Sequence, residues 1–361
     1  MQVVIAPDGF GGTLSAPEAA AAIAAGWREV RAHDRIVELP MSDGGEGLLE
    51  VVATPSDTWH QREVAGPHGH PLQAPFLVRA DGSAVIESAR ACGLHLLPPE
   101  ARTPRRATTF GVGQLLRAAM ELGADPIRLG LGGTASIDAG TGALIALGFR
   151  LRVADGSGLK VGGEQLAQLA SIERGWAVDR HVGIELLADV TTPLRHAAER
   201  FGPQKGADAP EIEELAHALR NVAEVAERDL GVDPAMAAQP GSGAAGGLGY
   251  GLAVAFGARL VPGAATVAEL IGLPDAIAAA DLVVTGEGRL DATTGEGKVV
   301  AVVRDLAQRS GRGVHAVVGQ QAEPLEGLAT VVAASPEGPG EDPAGAVASA
   351  AARLAATVVD G

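Results

Sequence analysis

Short apolar runs, glycine-rich turns and amphipathic stretches follow one another along this chain. Val3, Val4 and Ile5 form a first strand that Pro7 closes. Asp8-Gly9-Phe10-Gly11-Gly12-Thr13 is a glycine-rich turn. Ser15 then offers an N-cap, with Pro17 and Glu18 in the first turn of an Ala-rich helix running to about Val30. Strand, turn and capped helix are half of a βαβ unit. A second strand over 36–40 leads into Ser42-Asp43-Gly44-Gly45-Glu46-Gly47, followed by a helix over 48–53. From residue 59 to 85 the texture becomes that of hairpins, with a turn at His68-Gly69-His70-Pro71, so a domain transition is placed near residue 62. Further helices are expected over 111–122, 143–147 and 211–229. The last carries Ile212, Leu215, Leu219, Val222 and Val225 at spacings of three and four, a core-facing stripe. Strands are expected over 127–131, 184–188, 314–318 and 330–333. Residues 336–343 read as a Gly/Pro/acid loop and 344–358 as a terminal helix.

Composition narrows the fold. At 361 residues the chain suits two domains or one large one. Hydrophobic residues make up 47% and aromatics only 3%, so the core is built from Ala, Val, Leu and Ile, as in doubly wound α/β folds. A net charge of −16 argues against nucleic acid or an anionic membrane as partner, but leaves room for a locally positive ATP site. The single cysteine, Cys92, excludes an intrachain disulfide framework and a Cys-cluster metal site, and its apolar setting reads as packing. Met1 leads straight into strand-like sequence and no apolar run is long enough to cross a bilayer, so a cytoplasmic protein is expected. The sequence leaves the oligomeric state open.

The chemistry is concentrated at strand ends. Asp281 to Lys298, DLVVTGEGRLDATTGEGK, opens as a buried parallel strand. It is expected to empty into a loop holding Glu287, Arg289, Asp291, Glu296 and Lys298 among glycines. Such a loop suits an anionic ligand with its metal. Gly132, Gly133 and Thr134, within Leu129 to Gly142, can offer backbone N–H groups to phosphate. Asp189 stands at the end of an apolar strand, and Lys205 on the tight loop Phe201 to Gly206. Pro240 to Gly249 contains a G-x-G-x-x-G at Gly241, Gly243 and Gly246, but no strand precedes it and no acid follows at the right distance. It is read as a glycine-rich helix start, for tight packing or phosphate contact. Walker, protein-kinase and H-E-x-x-H motifs are absent, and Ser136 lacks a hydrolase elbow.

Carboxylates, a few immobile cations and much backbone N–H, without a covalent nucleophile, fit phosphoryl transfer. In that reading Glu287 and Asp291 hold Mg²⁺, and Asp189 orients or deprotonates the acceptor hydroxyl. Lys205 and Arg289 face phosphate or a substrate carboxylate. Asp8, Asp43, Glu46, Asp189, Glu287 and Asp291 are expected to converge on one cleft, with some pKa values raised by mutual repulsion. Helix capping is the alternative role for Asp43, Glu46 and Asp138.

These stretches, VVIAPDGFGGTLSA, PMSDGGEG, GLGGTASIDAGTGALIALG, ADVTTPL, FGPQKGA, PGSGAAGGLGYGLAVAFGARLVPGA and DLVVTGEGRLDATTGEGK, resemble in order the glycerate kinase family, specifically its bacterial type-1 branch. The resemblance spans Val3 to Lys298. It implies two α/β domains: one Rossmann-like, with a parallel sheet and discontinuous (1–62 plus 275–361), the other a mixed α/β domain inserted into it (63–274). It implies ATP and Mg²⁺ as cofactors, D-glycerate or a near relative as substrate, and 2-phosphoglycerate as product. Asp8, Asp43, Glu46 and Asp138 become candidate substrate contacts. Gly132, Gly133, Thr134, Gly243, Gly246 and Lys298 become candidate nucleotide contacts. The chain departs from the family pattern at Gly9 and Gly11, where Ser and Lys are usual, and at Ile137 and Ala139, where Asn and Gly are usual. A non-catalytic relative that binds a nucleotide or sugar acid is the second reading; an NAD-type oxidoreductase, resting on the glycine fingerprint alone, is the third.

Overall fold

The computed structural model describes residues 1–175, 182–291, 294, 297–335 and 340–358. Gly295 and Glu296 of the expected anchor loop, and part of the 336–343 loop, lie outside them. The strands in chain order are β1 (Gln2–Pro7), β2 (Arg35–Glu38), β3 (Thr58–Ala65), β4 (Pro71–Val78), β5 (Ala84–Glu87), β6 (Ile127–Gly130) and β7 (Arg150–Val153). They continue with β8 (Leu169–Glu173), β9 (Ile184–Leu187), β10 (Arg259–Val261), β11 (Leu282–Leu290), β12 (Gly313–Gln321) and β13 (Thr330–Ala333). The chain divides into two compact units. The first holds Met1–Asp43, Glu50–Val52 and Pro262–Gly361, the second Gly44–Leu49 and Ala53–Val261. Residue 62 lies inside β3, which pairs along its length with β4 of the second unit. The hairpin texture that suggested a transition there begins some residues after the chain has left the first unit.

The first unit is a parallel sheet in the order β13-β12-β11-β1-β2. Val3, Val4, Ile5 and Ala6 are all buried because helices cover both faces. On one face the helices Ala16–Val30 and Pro343–Thr357 pack over Val3, Ile5, Leu282, Val284 and Val317. On the other, Val300 of helix Val299–Arg309 meets Ala316 and Val318. The first helix starts where the sequence says: the Ser15 hydroxyl accepts from the Glu18 N–H at 3.4 Å and the Glu18 carboxylate accepts from the Ser15 N–H at 2.8 Å. Its spacing buries Ile23 and Trp27, each contributing roughly 1.5–3 kcal/mol of apolar transfer. Gly26 lets it approach the C-terminal helix; a β-carbon there would collide with the Ala348 backbone.

One expectation is corrected here. Glu287 and Arg289 lie within β11, not in a loop after it. They pair in register with Val318 and Gln320 of β12. The glycines that suggested a loop mark close backbone approach within the sheet. A β-carbon on Gly286 would strike the Val317 carbonyl, and one on Gly288 would lie 3.0 Å from Phe10.

The second unit holds a sheet in the order β10-β9-β6-β5-β4-β3, parallel from β10 to β5 and antiparallel through the expected hairpins. Helices Phe110–Glu121, Thr141–Ala146 and Ala244–Phe256 contribute Val112, Leu115, Ala143 and Leu248 to its core. A second core lies under helix Ala209–Leu230, whose Leu215, Leu219, Val222 and Val225 are buried as their spacing predicts. Asp208 and Glu211 close that helix with a capping box. The antiparallel pair β7–β8 was not anticipated: four- and five-residue strands without strict alternation carry little periodic signal.

Candidate active site

In the first unit the C-terminal ends of β1, β2 and β11 bring together Asp8, Asp43, Glu287, Asp291 and Lys298. Asp8 follows β1, its N–H donating to the Gly286 carbonyl at 2.8 Å, which fixes the turn beside β11. Its carboxylate accepts from the Gly9 N–H at 2.7 Å. The Asp8 carboxyl is pushed up to about 8, first by burial and next by the like charge of Asp43, with Glu287 adding to it and Lys298 opposing. Glu287 is also raised, again by burial first. Its Oε1 accepts from the Thr294 hydroxyl at 2.7 Å, and Lys298 offsets part of the shift while Asp291 adds to it. Thr294 also accepts from the Asp291 N–H at 3.1 Å, so one hydroxyl ties two acids into a fixed spacing. Repulsion was expected to raise such groups; loss of water is the larger cause.

Arg289, two residues beyond Glu287 in β11, is exposed. It borders a cavity of about 330 Å³ at the same sheet edge, together with Phe10, Gly11, Thr13, Gln320 and Val347.

The second unit holds the other candidates. Asp189 is half-buried just beyond β9. The loop that follows it is pinned by 241–243: the Gly243 N–H donates to the Thr192 carbonyl at 2.9 Å, and the Leu194 N–H to Ser242 Oγ at 2.9 Å. Lys205 ends a 3₁₀ turn and is buried. Its Nζ donates to Thr134 Oγ1 at 3.2 Å and the Ser136 carbonyl at 2.7 Å, and lies 5.9 Å from the Phe201 ring centroid. Burial pulls Lys205 down to about 8, against the opposing pull of Cys92 and Asp138. The Cys92 thiol, 3.4 Å from Ser136 Oγ, is pushed up to about 11 by burial, which makes it an inert packing group.

Asp138 has no exposed surface. Its carboxylate accepts from the Thr109 N–H at 2.8 Å, the Thr109 hydroxyl at 2.9 Å, the Gly140 N–H at 3.1 Å and the Gly142 N–H at 3.3 Å. The structure therefore gives it the work of holding its own loop at the start of helix Thr141–Ala146. Gly243 and Gly246 also serve packing. A β-carbon on Gly243 would lie 2.6 Å from the Pro193 carbonyl, and one on Gly246 would collide with the Ser136 carbonyl. Gly132 packs against Gly45, whereas Gly133 is exposed and Thr134 receives Lys205. Glu46 is exposed, 3.9 Å from the ring of His95. Sequence reasoning missed Thr294, His95 and the wall residues of the cavity, which sit on turns, loops, a strand and a helix that only the tertiary packing brings into place.

The donor set bears on the implied Mg²⁺. Among the described residues no three carboxylates, imidazoles or thiolates gather closely enough to enclose a metal ion. Mg²⁺ asks less, holding to one or two carboxylates and keeping its waters. Asp8 and Glu287, buried beside the like charges of Asp43 and Asp291, form an acidic patch that a divalent cation fits.

The glycerate kinase family model matches residues 3–359, nearly the whole chain. The chain belongs to the glycerate kinase family. It is 39% identical over 326 residues to the glycerate kinase of Haemophilus influenzae, with 88% of this chain and 86% of that one covered. It is likewise 39% identical over 326 residues to the glycerate 2-kinase of Escherichia coli, covering 88% and 85%. A crystal structure described as a "putative glycerate kinase 2" from Salmonella typhimurium LT2 superposes with a TM-score of 0.84 at 39% identity, covering 99% of this chain and 98% of that one. The fold is thus that of a family of kinase enzymes. Two departures from the family pattern now have a place. Ile137 is fully buried in the core beneath helix Ala209–Leu230, so it fills space rather than facing a ligand. Ala139 occupies a left-handed conformation, φ 52°, where glycine is at ease. Gly11, by contrast, borders the cavity, and a β-carbon there would meet nothing within 4 Å.

Proposed function

We propose that this protein transfers the γ-phosphoryl group of ATP to D-glycerate with Mg²⁺, giving 2-phosphoglycerate and ADP. The observation that carries the reading is the charge set of the first unit, where Asp8, Asp43 and Glu287 meet Lys298 at the end of a parallel sheet. The whole-chain family match supports it, and so does the name glycerate 2-kinase borne by the Escherichia coli relative. Bound Mg²⁺ would neutralise charge on the transferring phosphoryl group. Glu287 and Asp291, spaced by Thr294, are the residues to hold it, with Asp8 beside them. Arg289 and Lys298 supply positive charge for phosphate. Asp189 accepts the proton of the 2-hydroxyl as that oxygen bonds to phosphorus and the bond to the leaving ADP breaks. Lys205 acts as a positioning residue, holding Thr134 and the backbone at Ser136 in place. Such metabolism of a small soluble acid belongs in the cytoplasm, and among the described residues no helix is long and apolar enough to cross a membrane.

The test is an ADP-release assay with D-glycerate and Mg-ATP, the product resolved by ³¹P NMR. Glycerate-dependent ADP release with the 2-phosphate signal is expected. A 3-phosphate signal would move the acceptor hydroxyl, and nucleotide binding without turnover would favour the non-catalytic relative.

A further inference from the structure

The cavity of the first unit is built for something other than a three-carbon acid. Glycerate carries oxygen on every carbon and has almost no apolar surface to bury. Thr13, Arg289, Gln320 and Ser335 give the cavity polar groups, and its apolar walls are Phe10 from the first turn, Ala334 beyond β13, and Ala346 and Val347 of helix Pro343–Thr357. Their faces reward a flat, weakly hydrated group. About 330 Å³ falls in the range of small-molecule sites, roughly 300–1,000 Å³. One end is polar and adjoins the acids: Glu287 and Gly9 line it, and the Gly9 N–H binds the Asp8 carboxylate. The cavity therefore offers what a nucleotide needs: apolar surface for a base, polar groups for a ribose, and a side that adjoins the acids. The N-terminus of the neighbouring helix takes no part in anion binding, because Asp342 already caps it by accepting from the Gly345 N–H at 2.9 Å. The glycine-rich stretches of the second unit compete poorly for the nucleotide, since Gly132, Gly243 and Gly246 abut backbone.

We propose that this cavity seats the base and ribose of the phosphoryl donor, placing the nucleotide in the first unit with its phosphates directed toward Glu287 and Asp8. The proposal rests on the kinase reading above and adds where the donor binds. It also gives Gly11 a role: at that position the chain leaves room at the cavity rim for the ligand.

The test fills the apolar end without touching the acids. Ala346 and Ala334 are half-buried cavity residues, and Ala346→Phe and Ala334→Trp each occupy the space of a base. Binding of ADP is measured by isothermal titration calorimetry without glycerate, alongside melting temperature and, for wild type, ADP-dependent slowing of amide exchange. We expect at least tenfold weaker ADP binding in a folded variant, and protection in wild type over 10–13, 334–335 and 346–347. Wild-type affinity in both folded variants, or protection confined to residues 132–134 and 241–247, overturns the proposal. If the variants fail to fold, the exchange map of wild type decides alone. A wild-type chain that phosphorylates glycerate while failing these tests loses the cavity assignment and keeps the kinase reading. One that binds no nucleotide and shows no turnover loses both.

Discussion

Lys205 offers a measurement of how the second unit handles a buried charge. Its ammonium is buried against neutral oxygens of Thr134 and Ser136, and burial pulls its pKa from 10.5 to about 8. The unfolded chain therefore binds more protons than the folded one between about pH 8 and 10.5, and stability must rise with pH through that window. A shift of this size corresponds to about 3 kcal/mol. Below about pH 8 the folded lysine is charged and the full penalty is present; above 10.5 both states are neutral and it is gone. Lys205→Met removes the titration and keeps the apolar stem. Guanidinium unfolding of both proteins, without ligand, at steps from pH 7 to 10.5 isolates the effect as the change in their stability difference. Other groups titrate in both proteins and largely cancel; Cys92, raised to about 11, stays a thiol over most of the range. We expect wild type to gain about 3 kcal/mol on the variant across the window. A difference that stays constant with pH would mean that Lys205 titrates as a solvated amine, and would refute the burial argument.

Three further outcomes are expected. Asp189→Asn keeps shape and removes the proton acceptor, so kcat should fall roughly a hundredfold with the melting temperature unchanged; near-normal turnover removes Asp189 from the mechanism. Arg289→Met, at an exposed position, should raise KM for one substrate by about tenfold or more. A lowered melting temperature with unchanged kinetics would instead mark Arg289 as structural. Asp138→Ala strands the buried N–H groups of Thr109, Gly140 and Gly142, and should destabilise by at least ~3 kcal/mol in chemical unfolding; a loss below about 1 kcal/mol would show that the loop relaxes to satisfy them.

Much of the fold was legible because the helices carry their own punctuation. Ser15 with Glu18, and the leucine–valine stripe of 211–229, announce helices that the structure contains. The apolar runs at 3–5, 127–130 and 184–187 are strands for the same local reason. What was illegible depends on register. Gly286 and Gly288 look like loop glycines in sequence, yet they sit in a nine-residue strand because neighbouring backbones press against them. Asp138 and Gly246 look like ligand groups, yet in the folded protein the chain itself occupies the space around them. The acids of the first unit were legible as strand-end residues. Their spacing through Thr294 was not, because it depends on how the chain turns after β11, and neither was the cavity beside them, which is walled by residues from separate strands and helices.

The contact of Gly26 with Ala348 has a consequence for how the molecule is made. The face of β1 that carries Val3 and Ile5 is covered in part by the last helix, Pro343–Thr357. During synthesis strand β1 and helix Ala16–Val30 therefore emerge with that face bare, and some three hundred further residues must be made before helix Pro343–Thr357 arrives to cover it. The second unit, ending at Val261, is complete well before then and is free to fold while its host waits. Nascent chains released at about residue 340 should expose Trp27 and its neighbours to chaperones and proteases. Helix Pro343–Thr357 thus completes the core of the first unit, long after that unit's first strand is made.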